Sequence, residues 1–452
     1  MGERHVIRDV EQAGAWLEGL INFERRPGFS YARMGLGPIR TLLERLGRPE
    51  ESLSIIHVAG SKGKGSTCLF IEAILSAAGE RVGTFTSPHL ERWTERFRID
   101  GCEVEGDALA EAVETVRPHV EALRRGDPAN APTFFDATTA TALLLFQRAG
   151  VSRTLLEVGL GGRLDSTNIV RPALTCVTQI ELEHTDKLGS TLAAIASEKA
   201  GIIKAGVPCV VGDLPAEARD VVSARAGELD APLRRWGEAF EVRERAVHDA
   251  LGRFGSSFHY TEPEGFDVSI ELPVAGAHQV HNAALAISAV RCLGEHDETS
   301  VAGALRKGLA SVALPGRLEV VENRPCVIVD SAHTRGSARA LGQVLAGVPA
   351  ERRYLVLSIS RDKDARGILA ALDWRPDLVW LTRAEPIRSI ELEDLESAVR
   401  EWVPEAGIRL EADAERAVGA ARAALSDRDV LCCTGSVYLA GAARRALRGR
   451  ME

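Results

Sequence analysis

No C-x-x-C pair occurs among the eight cysteines of this sequence, Cys68, Cys102, Cys176, Cys209, Cys292, Cys326, Cys432 and Cys433. That spacing argues against a zinc site or a disulfide framework and for reduced, buried thiols. No apolar run approaches the roughly 20 residues that span a bilayer. The N-terminal stretch MGERHVIRDVEQAG is charged and lacks an apolar core, so a signal peptide is not expected and a cytoplasmic location is. An excess of positive charge is also missing: 55 Lys and Arg against 64 Asp and Glu leave a net charge of −9. That argues against a nucleic-acid binder held by a broad basic face, but not against a small anionic substrate, which needs only a few local donors. Internal repeats and low-complexity tracts are absent as well.

The chain does have length and ordinary globular composition, 452 residues with 45% apolar and 26% charged. Two or three domains with sizeable cores follow. Short apolar, β-branched runs recur at 54–59, 154–158, 174–180 and 208–212, with helical patterns between them, as at 66–79 and 137–150. Strands alternating with helices predict an α/β fold with a mostly parallel, doubly wound sheet. Its strand C-terminal ends share one edge, where ligands bind. Residues 213–274 read differently, as short antiparallel strands forming a small β excursion. A helix over 278–294 then ends the first domain. A second alternating series begins near 317 and predicts a smaller, Rossmann-like domain. The two domains are placed at 1–310 and 317–452, with Pro315 and Gly316 breaking the pattern between them.

The run HVAGSKGKGST (57–67) leaves a strand, turns through three glycines and enters a helix. Backbone N–H groups at Gly60, Gly63 and Gly65 can approach phosphate oxygens because no Cβ stands in the way. The helix that follows contributes its positive N-terminal end. Lys64 can reach the β/γ-phosphates, and Ser66 or Thr67 can sit at a magnesium ion. The spacing departs from the general P-loop. Two residues, not four, separate Gly60 from Gly63, and Gly65 stands between Lys64 and the hydroxyl residues.

G-x-x-G-K-G-S-T resembles the loop of the Mur-type amide ligases. Further blocks narrow the resemblance: TSPHLERWTERFRIDG (86–101), EVGLGGRLDSTNIV (157–170), HTDKLGSTLAAIASEKAGIIK (184–204), GAHQVHNAALA (276–286), PGRLEVV (315–321) and DSAHTRGSARAL (330–341). Together, and in this order, they resemble the folylpolyglutamate synthase/dihydrofolate synthase family over nearly the whole chain. The resemblance implies ATP and magnesium, with two metal sites, a larger N-terminal ATPase domain and a smaller C-terminal glutamate-ligase domain.

It also implies roles for single residues. Glu157, at the end of an apolar strand, Ser87 in the turn TSPH, and His184 match the family's metal-site positions. Lys199, in SEKAGIIK, matches a lysine that is carbamylated in the family; a plain salt bridge to a nearby carboxylate is the alternative. Asn282 matches an adenine contact. Arg317, with its rigid guanidinium fork, is expected on the phosphates, Asp330 on ribose hydroxyls, and His333 at the start of the next helix. Ser331 stands where the family has glycine and Thr334 where asparagine is common. Nucleotide bound by both domains implies closure on ATP binding.

The implied reaction is ATP-dependent amide formation between L-glutamate and dihydropteroate, a reduced folate, or both, through an acyl phosphate. Lys64, Lys199 and His184 are the catalytic candidates. Lys363 and Arg388 are candidates for the carboxylates of glutamate, with plain surface charge nearly as good a reading for both. Ser436 resembles the family's last block. MGLGPIRTLLERLG (34–47) and GGRLDSTN (161–168) resemble the pterin side, with Arg163 and Asp165 as neighbours of that site. A monomer acting on small molecules is expected. Two rivals remain open: another Mur-type ligase with a non-folate acceptor, and a non-catalytic ATP-binding switch.

Overall fold

The computed structural model describes residues 6–22, 34–250, 253–294, 297–385 and 388–448. Residues 1–5, at the head of the charged N-terminal stretch, lie outside them. The described chain forms two compact units. One comprises residues 1–243, 259–270 and 281–312, the other 244–258, 271–280 and 313–452.

The first unit is built on an eight-stranded sheet: β1 (Ile55–Ala59), β2 (Val82–Phe85), β3 (Phe97–Ile99), β4 (Cys102–Glu103), β5 (Arg153–Glu157), β6 (Leu174–Val177), β7 (Cys209–Val211) and β8 (Leu233–Arg235). Their order is β4-β3-β2-β5-β1-β6-β7-β8. The strands from β2 to β8 run parallel, and β3 and β4 add an antiparallel edge. β1 is buried at every position, as a central strand covered on both faces must be.

Helix Phe134–Ala149 shows why such segments hold. Thr133 and Asp136 close a capping box at its start, and Gly150 ends it in a left-handed turn. Between them Leu143 and Phe146 are fully buried. Burying each such side chain stabilises the fold by about 1.5–3 kcal/mol.

Two expectations need correction here. Residues 213–274 are not a β excursion throughout, because helix Ala216–Glu228 and the parallel strand β8 still belong to the first sheet's alternation. That helix has three buried positions, Ala218, Val222 and Ala226, at i, i+4 and i+8. Small residues gave it a weak apolar signal in the sequence. The β excursion is confined to β9 (Glu241–Ala250), β10 (Arg253–Thr261) and β11 (Asp267–Leu272), a separate sheet ordered β11-β10-β9. Nor does the helix carrying Asn282, Ala277–Leu293, end the first unit. Helix Glu298–Ala310 follows, and Gly308 lets it press against the backbone at Ala73.

The second unit carries β12 (Glu319–Asn323), β13 (Cys326–Val329), β14 (Arg353–Leu357), β15 (Leu378–Leu381), β16 (Gly407–Leu410) and β17 (Val430–Thr434), in the order β12-β13-β17-β14-β15-β16. All pairs are parallel except β12 with β13. β16, mostly exposed at the sheet edge, had too little apolar content to be read from the sequence. Among the described residues no helix is long and apolar enough to cross a membrane.

Candidate active site

The chain reverses its progress across the first sheet at β1, with β5 and β2 to one side and β6, β7 and β8 to the other. Such a reversal opens a crevice outside the carboxyl ends of the strands. Four of those ends supply the predicted residues: Gly60 follows β1, Ser87 follows β2, Glu157 ends β5, and Thr178 to His184 follow β6.

The phosphate loop is held from behind. Thr178 Oγ1 donates to Lys62 O at 2.5 Å, and Ser61 N donates to Gln179 O at 2.6 Å. A Cβ at Gly60 would collide with Thr178 Oγ1, and one at Gly63 with the Asn282 side chain. Gly63 also has φ 81° and caps helix Lys64–Ala77, a left-handed geometry that glycine adopts without a steric penalty. Asn282, predicted at the adenine, therefore packs directly on the loop. Gly65, Ser66 and Thr67 form the helix's first turn, and all three are buried.

Lysines converge beneath the loop. Lys64 Nζ donates to Gly60 O at 3.1 Å, and Lys199 Nζ donates to the same carbonyl at 2.8 Å. Lys199 also donates to Glu183 Oε1 at 3.0 Å and is only 2% exposed. Burial lowers its pKa to about 8, with Glu183 opposing and Lys64 and Lys62 reinforcing the shift. Burial alone would raise the Glu183 carboxyl, but Lys199, Lys64, Lys62 and His184 outweigh it and bring it to about 2. Sequence reasoning missed Glu183. Its signal was position, one residue before the predicted His184 in the loop after β6.

Glu157 is 4% exposed and its Oε2 accepts from Ser87 N at 2.9 Å, which joins two predicted metal-site residues. His184 is exposed and sits at φ 46° as the cap of a four-residue helix. Among the described residues no three His, Cys, Asp or Glu side chains gather as a metal cage. The oxygen set nevertheless suits magnesium. A hard cation takes carboxylate and hydroxyl oxygens and keeps several waters. Thr67 Oγ1 is buried without a hydrogen-bond partner, as a hydroxyl reserved for a ligand would be.

Asp165 is buried against its own loop, whereas Arg163 stays largely exposed. Arg163 pairs with Glu198 at 2.8 Å, and its N–H donates to Glu198 O. Asp165, 1% exposed, clamps the loop after Glu157. Its Oδ2 accepts from Gly159 N and Leu160 N at 3.1 and 2.9 Å, and its Oδ1 from Thr167 N and Oγ1 at 3.0 and 2.5 Å. Burial pushes its pKa up to about 6. Asp165 thus holds the loop after Glu157 in shape, and Arg163 ties that loop to Glu198 while half of its side chain stays exposed.

In the second unit the predicted nucleotide residues flank one loop. Asp330 accepts one backbone bond on each carboxylate oxygen, from Leu318 N at 2.8 Å and Ala332 N at 2.7 Å, which leaves acceptor capacity on both. Burial raises its pKa to about 6. Leu318 is held at φ 51° there. Arg317 Nη1 donates to Pro315 O at 3.3 Å. His333 Nδ1 lies 2.8 Å from Ser331 O, and His333 precedes the helix cap rather than opening the helix. Thr334 provides that cap, accepting from Ser337 N, so the departure from asparagine keeps a competent capping group. Ser331 is not among the described non-glycine residues with positive φ, so its side chain costs no backbone strain.

Of the glutamate candidates, Lys363 and Arg388 both act on Asp362, where burial alone would raise the carboxyl but these two hold it below the usual range. Lys363 Nζ pairs with Asp362 at 3.0 Å. Arg388 lies 3.8 Å from Glu385 and 3.4 Å from Tyr438 Oη. Ser436 is buried and caps helix Val437–Leu447 by accepting from Leu439 N at 3.0 Å.

Comparison with known proteins adds an independent line. The Mur ligase middle domain matches residues 58–290, and the Mur ligase, glutamate ligase domain matches residues 316–437. The dihydrofolate synthase/folylpolyglutamate synthase of Bacillus subtilis is 36% identical over 366 residues, 80% of this chain and 82% of that protein. The Mycobacterium tuberculosis protein of the same name is 35% identical over 90% of this chain and 88% of its own. Among solved structures, Mycobacterium tuberculosis folylpolyglutamate synthase complexed with ADP and AMPPCP has a TM-score of 0.86 at 33% identity, covering 97% of this chain and 98% of that one. The bifunctional enzyme of Yersinia pestis complexed with AMPPNP and Mn ion has a TM-score of 0.79 at 34% identity, covering 96% and 98%.

Proposed function

The chain belongs to the folylpolyglutamate synthase/dihydrofolate synthase family of Mur ligases and is an ATP-dependent ligase, and from that premise we propose how its residues join L-glutamate to a pterin-linked acid. The observation that carries the proposal is the pair of ammonium groups, Lys64 and Lys199, meeting at Gly60 O where the central strand ends.

A carboxylate is a poor electrophile, so it is activated first. The acceptor's carboxylate oxygen attacks the γ-phosphorus of ATP, the bond to the β-phosphate oxygen breaks, and an acyl phosphate and ADP result. The amino group of glutamate then attacks the acyl carbon, inorganic phosphate leaves, and the amine's proton passes to solvent. Lys64 and the loop N–H groups hold the phosphates in line, which supplies much of the rate gain. Bound magnesium would neutralise phosphate charge, and Glu157, Thr67 and Ser87 are the residues that suit it, with His184 on the loop after β6 as a further candidate.

Lys199 is proposed as the carbamate site. With a pKa near 8, roughly a tenth of its amine is neutral at pH 7. That amine adds carbon dioxide to give a carbamate and one proton. The product reverses the charge facing Glu183 and offers oxygens to a second metal.

Asn282, Arg317, Asp330 and His333 are proposed to hold the nucleoside and phosphates, and Lys363 and Arg388 the glutamate carboxylates. The division into domains at 1–310 and 317–452 is supported by the two domain matches, which end at 290 and begin at 316. Cytoplasmic action on both dihydropteroate and reduced folate completes the reading, supported by the bifunctional names of relatives such as that from Bacillus subtilis.

The test is ADP release in the presence of glutamate, with dihydropteroate and tetrahydrofolate compared as acceptors. Stimulation by both is expected. Stimulation by neither would overturn the acceptor assignment and favour a Mur-type ligase with another acid.

A further inference from the structure

The mechanism above leaves one charged residue of the phosphate loop without a task. Lys62 lies between Gly60 and Gly63, and its backbone is fixed by the bond from Thr178 Oγ1. Its ammonium faces Glu183 Oε2 at 3.6 Å. Glu183 therefore stands between two lysines, one oxygen toward each, but the two contacts are not equal. Lys199 makes a hydrogen bond at 3.0 Å and is 2% exposed, whereas Lys62 makes only an ionic contact, beyond hydrogen-bond length, and is 22% exposed.

The inequality has a chemical meaning. An ammonium has three donors in need of acceptors. Lys199 directs its donors to Gly60 O and Glu183, beneath the loop. Lys62 lies on the more open side of the same carboxylate and holds it loosely. Glu183 Oε2 faces Lys62 while its Oε1 accepts from Lys199, so it restrains Lys62 while no stronger anion is present. A triphosphate brings several negative oxygens to the loop and outcompetes one carboxylate already bonded to Lys199.

We infer that Lys62 is a second phosphate-binding lysine of the loop, parked on Glu183 and transferred to the triphosphate when nucleotide arrives. This rests on the ligase reading and deepens its phosphate site. Lys64 reaches out from the first turn of the helix, and Lys62 approaches from the loop itself. The two would embrace the polyphosphate from different elements, and the adenine would contribute nothing to the Lys62 contact.

Calorimetric titration of the full-length protein with magnesium ATP and with tripolyphosphate, which has no nucleoside, tests this. Lys62→Met is expected to weaken both ligands about tenfold, the effect of losing one charge-assisted contact. Lys62→Arg is expected to stay within about threefold of wild type. In turnover, Lys62→Met raises the KM for ATP by a similar factor and leaves the KM for glutamate unchanged. Should Lys62→Met fold poorly, Lys62→Gln is read in its place.

If tripolyphosphate binds wild type and the charge-removed variant equally, the inference is overturned, and Lys62 is a counter-ion of Glu183 only. Lys64→Met in the same titration separates the two readings. Wild type that binds neither ligand overturns the ligase reading itself. Wild type and Lys62→Met binding alike, with Lys64→Met weakened, overturns the Lys62 assignment alone.

Discussion

Two loops leave parallel strands in this protein, and they treat their charged residues in opposite ways. After β1 the loop gathers Lys62, Lys64 and Lys199 around Glu183 and Gly60 O, and it leaves the buried Thr67 hydroxyl without a protein partner. After β13 the loop uses its acid on itself: Asp330 ties down Leu318 N and Ala332 N and holds the left-handed Leu318. The first loop keeps ammonium and hydroxyl groups in reserve for a ligand, whereas the second already engages its acid in two bonds to its own backbone. A carboxylate at a strand end is therefore not one kind of signal, because its worth depends on how many backbone donors reach it first.

The sharpest way to break that contrast is Lys64→Ala. It should lower kcat/KM for ADP formation by about 10²–10³, the scale of removing one preorganised charge from a transition state, with little change in melting temperature. Next, Lys199→Ala should cost about 10–100-fold in activity, as loss of a metal-supporting group does. It should also cost about 3 kcal/mol in urea stability by uncovering Glu183. Wild-type activity without a response to bicarbonate in that variant would remove the carbamate.

The second loop should answer in the reverse sense. Asp330→Ala strands two buried N–H donors and should cost about 1–3 kcal/mol of stability, read by denaturant unfolding. An unchanged midpoint would show that the loop does not depend on its acid.

The smallest effect is a pH slope. The folded pKa of Asp330 is raised to about 6 from 3.8, so between those values the folded state holds more protons than the unfolded one. The stability of wild type relative to Asp330→Asn should therefore fall as pH rises from about 4 to 6 and be level above. A difference that grows with pH over that window would show that the acid is stabilised as a carboxylate.

Much of this was legible before any coordinates. The strand–loop–helix around Lys64 was readable because an apolar β-branched run, clustered glycines and a helical pattern follow one another within a few residues. Glu157 was readable as the last residue of an apolar strand. Helix Ala216–Glu228 was not, because its buried face is made of small residues, and β16 was not, because an exposed edge strand has little apolar pattern to show. The standing of Asp165 was illegible for another reason. Nothing in GGRLDSTN distinguishes an acid aimed at a substrate from one clamped by Gly159, Leu160 and Thr167.

The sequence by itself determined the alternation of elements, the family, and the residues whose neighbours along the chain declare their role. Only the tertiary structure decided which charges meet. Lys199 and Glu183 are 16 residues apart, and Lys199 and Gly60 are 139 apart. The strand order that sets β1 between β5 and β6 brings them together. Propensity and periodicity act over a few residues, whereas the balance between an ammonium's desolvation and its partners is settled by whatever the sheet places beside it.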